Sequence, residues 1–431
     1  MQPGARLKAA AEVLDDIIAR HRPPNLALGD WGKSHRFAGS GDRSAIGTIV
    51  YDVLRLKASS AFIAGNDTSR GLVLGMLRQT GLSAEDILSL CSGPPHALDP
   101  LSRDEFQKLD ETDLATAPDH IRTNTPEWLM PTLQSVFGAA TNDELEAQSH
   151  RAPIDIRVNP LKATRERVLE DFARFDAEPL PFTPFGVRIP APKESKRAPN
   201  IEAETAHGKG WFEVQDLGSQ IAAALTGAGP RQQILDLCAG AGGKTLAMAG
   251  PMQNTGQIFA HDSDKIRLRP IFERLKRAGA RNVQVLAPHE SDTLDELGAH
   301  FDVTLVDAPC TGSGTWRRKP DAKWRLKPES LGLRLDEQTR LLDRAAPTVK
   351  PGGKLVYVTC SLLPAENTEQ IAAFLARHKD FAIQPWRDAW AKAPLGAPPE
   401  RSADGRDDTL LLTPKSHGTD GFFIAILQRA S

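Results

Sequence analysis

Four short apolar runs in the second half of the chain most constrain what it can fold into. They are QQILDLCA (232–239), GQIFAHD (256–262), FDVTLVDA (301–308) and GGKLVYVTC (352–360), and each ends in a small or polar residue. Between the second and third lies DKIRLRPIFERLKRAGA (264–280), whose apolar residues recur at helical spacing. Strand, loop and helix in alternation predict an α/β fold with a parallel, doubly wound sheet. Such sheets bind ligands beyond the carboxyl ends of their strands, near the point where strand order reverses. The residues to inspect are therefore Cys238, Asp262, Asp307 with Cys310, and Cys360. Three of the chain's four cysteines stand at these ends.

The rest of the chain has a different texture. At 431 residues it exceeds one ordinary core, so two or three domains are expected. Residues 1–125 read as an all-helical domain: LKAAAEVLDDIIARH and RSAIGTIVYDVLRLK repeat apolar residues three and four apart, and SAEDILSL opens with Ser83 and Asp86 at capping-box spacing. Residues 126–150, opening with PEWLMPTLQSVFG, predict a connecting helix with Pro126 in its first turn. Residues 151–225 predict a small α/β module, with strands in IDIRVNPLK and FGVRIP, a helix in TRERVLEDFARF and an exposed polar stretch in KESKRAPNIEAE. Residues 226–431 hold the four runs and form the expected catalytic domain.

Composition excludes several classes. Hydrophobic content of 40%, charged content of 25% and a net charge of −2 fit an ordinary globular chain. No apolar run reaches the roughly eighteen residues that a membrane-spanning helix needs. The first residues carry acids where a signal peptide would be apolar, so a mature, cytoplasmic protein is expected. Four scattered cysteines without a CxxC, and no His/Cys cluster, argue against metal sites and disulfides and for a reducing compartment. The near-neutral charge gives no global sign of nucleic acid. Basic residues do exceed acidic ones over roughly the first eighty positions, Arg36, Arg43, Arg55 and Lys57 among them. That excess fits either a solvated helical face or an RNA-contacting accessory domain.

DLCAGAGGKT (236–245) follows the first run. Its tail resembles a phosphate loop, but that loop needs a glycine where Cys238 stands. A dinucleotide fingerprint fails as well, because its third glycine would fall on Thr245. What remains is a glycine turn that lets a ligand approach the backbone. The second run ends at Asp262, where an acid can bond ribose hydroxyls. Turn and acid together suit an adenosine-type cofactor without a pyrophosphate; a plain strand-to-helix turn with an N-cap Asp is the simpler alternative. Cys238, Ala239, Gly240, Ala241, Gly242, Gly243 and Lys244, with Asp262 and Asp307, are the candidate cofactor contacts.

Cys310 and Cys360 lie in loops of small or polar residues, DAPCTGSG and VTCSLLPAEN. Neighbouring strands would turn both thiols into one pocket. One reaction class uses such thiols. Cytosine C5 is a poor nucleophile until a thiolate adds to C6 and makes it enamine-like, after which it can take a methyl group from a sulfonium. Asp307 can hydrogen-bond the base as charge develops, and Lys244 can pair with Asp307 or help ionise a thiol. TWRRKPDAKWRLK (315–327) holds six basic residues against one Asp, with Trp316 and Trp324 interleaved. Arg317, Arg318, Lys323 and Arg325 are candidate phosphate contacts, and the tryptophans candidate stacking partners for RNA bases.

The chain resembles the Sun/Fmu-type (Nol1/Nop2/Sun) RNA 5-methylcytosine methyltransferases in GWFEVQDLGSQ (210–220), DLCAGAGGKT, LVDAPCTGSGTWRRKPDAKWR, LVYVTCSLLPAENTEQ (355–370) and GTDGFFIAILQR. These stretches span about 150–431 and are specific in combination. The resemblance implies S-adenosylmethionine as donor, a class I (Rossmann-like) methyltransferase fold preceded by a small RRM-like module, and RNA, ribosomal RNA above all, as partner of a monomer. It implies that Cys360 attacks the base, that Cys310 assists release, and that Asp307 and Lys244 complete the catalytic set. One departure stands out: where the family often has an acid near the adenine, the third strand is followed by VLAPHESD, with Pro288 and His289. The helical part more weakly resembles the NusB-like accessory domain of the ribosomal RNA branch. Transfer RNA is the alternative substrate. A non-catalytic RNA-binding or assembly factor has no use for two thiols at strand ends. A DNA cytosine methyltransferase would use the Pro-Cys thiol as nucleophile.

Overall fold

The computed structural model describes residues 1–92, 96–192, 198–290 and 292–431. Part of the polar stretch read as exposed (193–197), and Ser291 of VLAPHESD, lie outside the described residues. The chain divides into two compact units.

The first unit comprises Met1–Arg151 together with Trp316–Leu326. It is helical: Pro3–Arg20, Pro24–Ser34, Ser40–Arg55, Lys57–Ala64, Ser69–Gln79, Ala84–Cys91 and Arg103–Glu111 are its main helices. Pro3 and Pro24 open their helices, where no amide hydrogen is missed. Ser83 and Asp86 form the expected capping box, each side chain bonding the other's backbone N–H. The apolar stripe Leu7, Ala10, Leu14 and Ile17 joins Ile46, Val50, Val53 and Leu72 in one core. Gly75 permits the close approach of Lys57–Ala64, since a Cβ there would lie 2.1 Å from the Ser60 carbonyl oxygen. The connecting helix expected over 126–150 is in fact two, Met130–Phe137 and Thr141–Ala147. Gly138, at φ +54°, ends the first.

The second unit holds two sheets. In the smaller, β1 (Ile154–Val158), β2 (Glu178–Pro179), β3 (Gly186–Ile189) and β4 (Phe212–Val214) are antiparallel in the order β2-β3-β1-β4. Helices Arg165–Asp171 and Thr205–Gly208 complete a βαββαβ pattern, the ferredoxin-like arrangement to which RRM modules belong. Ile156, Val158, Val168, Phe172 and Phe212 fill its core. Asp155 is buried beneath this sheet and accepts two bonds from Arg188, at 2.7 and 2.8 Å, and one from Leu217 N.

The larger sheet contains β5 (Gln233–Asp236), β6 (Gln257–His261), β7 (Val283–Leu286), β8 (Phe301–Asp307), β9 (Val349–Thr359), β10 (Phe381–Gln384), β11 (Leu410–Leu412) and β12 (Phe422–Arg429). Its order is β10-β12-β9-β8-β5-β6-β7, with β11 added to β12. All four predicted runs are strands, and β5 to β9 pair in parallel. The closing strand departs from a purely parallel sheet, because β12 lies antiparallel between β9 and β10. Phe423 pairs with Thr359, so β12 begins where β9 ends and runs back along it. The helical stretch after β6 splits at Pro270 into Lys265–Leu268 and Ile271–Ala278. Among the described residues, no helix is long and apolar enough to cross a membrane.

Candidate active site

The chain leaves β5 for β6 and β7 on one side and returns to β8 on the other, so strand order reverses at β5. Register lines up the strand ends there: Asp236 pairs with Ala260 of β6 and Leu305 of β8, and Asp307 with Val358 of β9. The glycine turn, the Asp307 loop and the Cys360 loop thus emerge side by side.

The turn after β5 needs its glycines. Gly240 and Gly242 have φ of +50° and +83°, and a Cβ on Gly242 would strike Ile271 Cγ1 at 2.5 Å. Asp262, only 3% exposed, braces the turn by accepting Gly240 N–H at 3.0 Å on Oδ2. Its Oδ1 accepts Asp264 N–H at 2.8 Å and pairs with Arg267 at 3.1 Å. One lone pair, on Oδ2, is left for a ligand hydroxyl. Behind the turn, Asp236 takes the Thr245 hydroxyl at 2.6 Å on Oδ2, while its buried Oδ1 has no protein partner. Burial, with the neighbouring charge of Asp307 and Asp262, pushes its carboxyl up to about 7 despite the Thr245 bond. Burial and the same acids also push the Cys238 thiol up. Lys244 reaches across from the turn to Asp307 at 2.7 Å, and its ammonium lies 5.2 Å from the Phe422 ring centre.

Cys310 Sγ and Cys360 Sγ are 3.4 Å apart, and all four cysteines are free thiols. The hydrogen bond to Cys360 is the main influence that holds the Cys310 thiol up, followed by burial, the charge of Cys360 and then that of Glu366. The two thiol loops are laced together. Ala308 N–H donates to Val358 O at 2.8 Å, Gly314 N–H to Cys360 O at 2.9 Å and Leu362 N–H to Ser313 Oγ at 2.8 Å. Gly314 and Gly421 pack backbone on backbone: a Cβ on Gly314 would lie 2.3 Å from Gly421 O.

Sequence reasoning singled out neither Glu366 nor Asn367. Glu366 has no exposed surface, yet accepts from Thr311 N–H at 2.8 Å, from the Thr311 and Ser361 hydroxyls and from Gln338 Nε2 at 3.0 Å. Asn367 brackets Cys360, accepting from Thr359 Oγ1 at 2.6 Å and donating to Ser361 O at 2.9 Å. The available signal was an acid inside VTCSLLPAEN with no neighbouring base to pair with it.

The basic run divides. Trp316–Leu326 belongs to the helical unit, although it had been expected within the catalytic domain. Lys323 is 1% exposed and donates to Arg55 O at 3.1 Å; Trp324 Nε1 donates to Leu54 O at 2.6 Å. Arg55, itself buried, donates to Arg317 O at 3.1 Å. Burial, with the nearby Arg55 charge, brings the Lys323 ammonium down to about 7. Trp316 and Arg317 are buried too, and Arg318 is half-buried. Lys323 and Trp316 are thus packed inside instead of lining an RNA-facing strip; Lys323 sits on the buried face of a short helix, Pro320–Arg325. Lys319 and Arg325 stay exposed, Arg325 beside Asp321. After β7, Pro288–Glu290 form a single turn in which Glu290 accepts Ala287 N–H at 2.7 Å.

The family described as 16S rRNA methyltransferase RsmB/F matches residues 224–428, and its ferredoxin-like domain matches 125–195. A probable ribosomal RNA small subunit methyltransferase B from Synechocystis sp. is 34% identical over 313 residues, which cover 71% of this chain and 67% of that protein. The chain belongs to the RsmB/F methyltransferase family. The structure of PH0851 resembles this member over its whole length: TM-score 0.74, 26% identity, 100% of this chain and 99% of that one. NSun6 from Pyrococcus horikoshii, solved with SFG, shares the fold at TM-score 0.60 and 23% identity, over 71% of this chain and 98% of its own. The RsmB/F member uses S-adenosylmethionine, and its residues fit that group. The turn leaves backbone bare of Cβ atoms, Asp236 Oδ1 is a buried acceptor without a partner, and Asp262 keeps one lone pair.

Proposed function

We propose that this RsmB/F-family methyltransferase modifies cytosine C5 in small-subunit ribosomal RNA through a covalent bond between Cys360 and base carbon C6. The observation that carries the reading is the pair of free thiols, 3.4 Å apart, at the ends of β8 and β9 beside the Lys244–Asp307 ion pair. A binding-only protein gains nothing from two apposed thiols there.

The residues divide the work. Cys360, as thiolate, adds to C6, and the electron pair moves toward the ring. Asp307 faces the base edge and stabilises the charge that develops there, while Lys244 holds Asp307 in place. Cys310 begins as a thiol that donates its hydrogen bond to the Cys360 sulfur. Once that sulfur is bonded to carbon its negative charge is gone, and the chief influence holding the Cys310 proton is removed. Cys310 then gives its proton to solvent and takes the one from C5. The C6–S bond breaks, the C5=C6 double bond re-forms and Cys360 leaves as thiolate. Bound S-adenosylmethionine supplies an electrophilic methyl group for C5. Gly240, Gly242, Asp236 and Asp262 would hold that donor. The target base must leave its stack to reach the thiols.

The protein is proposed to act as a cytoplasmic monomer, since β5, β6, β8 and β9 of one chain supply the thiols, the ion pair and the glycine turn. The test is methylation of ribosomal, transfer and DNA substrates in parallel with labelled donor, followed by bisulfite sequencing of small-subunit RNA from a deletion strain. Label in DNA alone, or an unchanged bisulfite pattern, would overturn the assignment.

A further inference from the structure

Glu366 is the one fully buried carboxylate among the described residues that touches both thiol loops. It closes the turn Pro364–Glu366 just after β9, and its own carbonyl accepts the Tyr357 hydroxyl at 2.8 Å. One carboxylate oxygen takes Thr311 N–H and Gln338 Nε2; the other takes the Thr311 and Ser361 hydroxyls. Thr311 follows Cys310 in sequence, and Ser361 follows Cys360. Gln338 also donates to Pro309 O at 2.9 Å, just before Cys310. No cationic side chain pairs with Glu366 among the described residues. Burying a carboxylate without a counter-charge is costly, and an apolar residue of the same size would fill the space more cheaply. The cost is met only by hydrogen-bond donors: Thr311 and Ser361 from the two loops that carry the thiols, and Gln338 from the helix Pro328–Ala345.

We propose that Glu366 is a positioning residue for the two-thiol reaction: it clamps the Cys310 loop to the Cys360 loop so that both sulfurs can act on one base in turn. The proposal rests on the reading of both thiols as reactive. The clamp has two halves that can be opened separately. Losing the Ser361 hydroxyl loosens the loop of the attacking thiol, whereas losing the Thr311 hydroxyl loosens the loop of the resolving thiol, which keeps its Thr311 N–H bond to Glu366. The charge has a second consequence. An anion beside Cys310 disfavours its thiolate, so the carboxylate helps keep that thiol protonated until Cys360 has been consumed.

The clamp can be tested without catalysis, using diamide as a ruler. Diamide takes two hydrogens from two neighbouring thiols and becomes the hydrazine, leaving a disulfide. In the parent protein, peptide mapping should show a rapidly formed Cys310–Cys360 link. Ser361→Ala and Thr311→Val should slow the link roughly 10- to 100-fold, as expected for a displacement of about 1 Å. Glu366→Gln should keep a nearly parental rate, because the hydroxyls of Thr311 and Ser361 can turn to accept from the amide. In single turnover, Ser361→Ala should slow RNA–protein adduct formation, Thr311→Val should slow its breakdown, and KM for the methyl donor should hold in both. Glu366→Gln should shift the pH profile of adduct breakdown to lower pH, which a purely packing role would not do. Parent-like link rates and turnover in both hydroxyl variants would overturn the proposal even if Glu366→Gln failed to fold. If link rates respond but no variant forms an adduct with RNA, the clamp stands and the covalent assignment falls.

Discussion

Cys310 Sγ stands 3.4 Å from Cys360 Sγ, bridging the ends of two parallel neighbours, β8 and β9. That contact links the two thiols in a sequence of chemical events, because the Cys360 sulfur is the main influence on the Cys310 proton.

The two thiols should therefore fail differently. Cys360→Ala should be inactive and form no adduct. Cys310→Ala should still attack, then stall with protein bound to RNA, visible as a slow band on a denaturing gel that nuclease removes. The reverse pattern would exchange the two roles. Retained activity in both variants would end the covalent mechanism.

Lys244→Met should leave Asp307 charged and unpartnered. Removing one member of a buried pair costs about 3–5 kcal/mol. Asp307 keeps 34% of its side chain exposed, so a smaller loss, about 1–2 kcal/mol, is expected here. Thermal unfolding should report it, and Lys244→Met with Asp307→Asn should recover part of the loss in a double-mutant cycle. Additive losses would mean that the pair does not matter for stability.

Asp262→Ala should weaken binding of the methyl donor by roughly 1–3 kcal/mol. Part of that loss should come from the turn itself, since Asp262 braces Gly240. Calorimetry showing parental affinity would remove Asp262 from the cofactor site.

Lys323 offers a pH signature. Its ammonium titrates at about 7 in the fold against an ordinary 10.5. The folded state therefore binds fewer protons than the unfolded one between those values, and stability is lost as pH falls through about 7. Lys323→Met should flatten the curve of urea midpoint against pH between about pH 7 and about pH 10. An unchanged slope would mean that the lysine is hydrated.

RNA binding should separate exposed cations from buried ones. Neutralising Lys319 and Arg325 should weaken RNA binding and lower its salt slope by about one unit per lost phosphate contact. Lys323→Met should leave that slope unchanged, because its ammonium is spent on Arg55 O. A drop on Lys323→Met alone would place the buried lysine at the RNA.

Sequence alone determined the class of fold and the chemistry on offer. Apolar runs ending at Asp236, His261, Asp307 and Thr359 declare strands, because a strand buried on both faces must be apolar throughout. Gly240 and Gly242 declare a turn, because only glycine escapes the clash at positive φ. Such signals are local, carried by a residue and its near neighbours. Tertiary structure decided the rest. Glu366 is silent in sequence: its meaning lies in Thr311, 55 residues away, and in Ser361, brought together by strand pairing. TWRRKPDAKWRLK reads as a basic, RNA-contacting strip, yet Lys323 and Trp324 bond to carbonyls of Arg55 and Leu54, some 270 residues earlier. Charge and aromatic spacing fix what a segment can touch. Which backbone groups lie free to receive it is settled by how distant helix ends pack, and no local pattern encodes that.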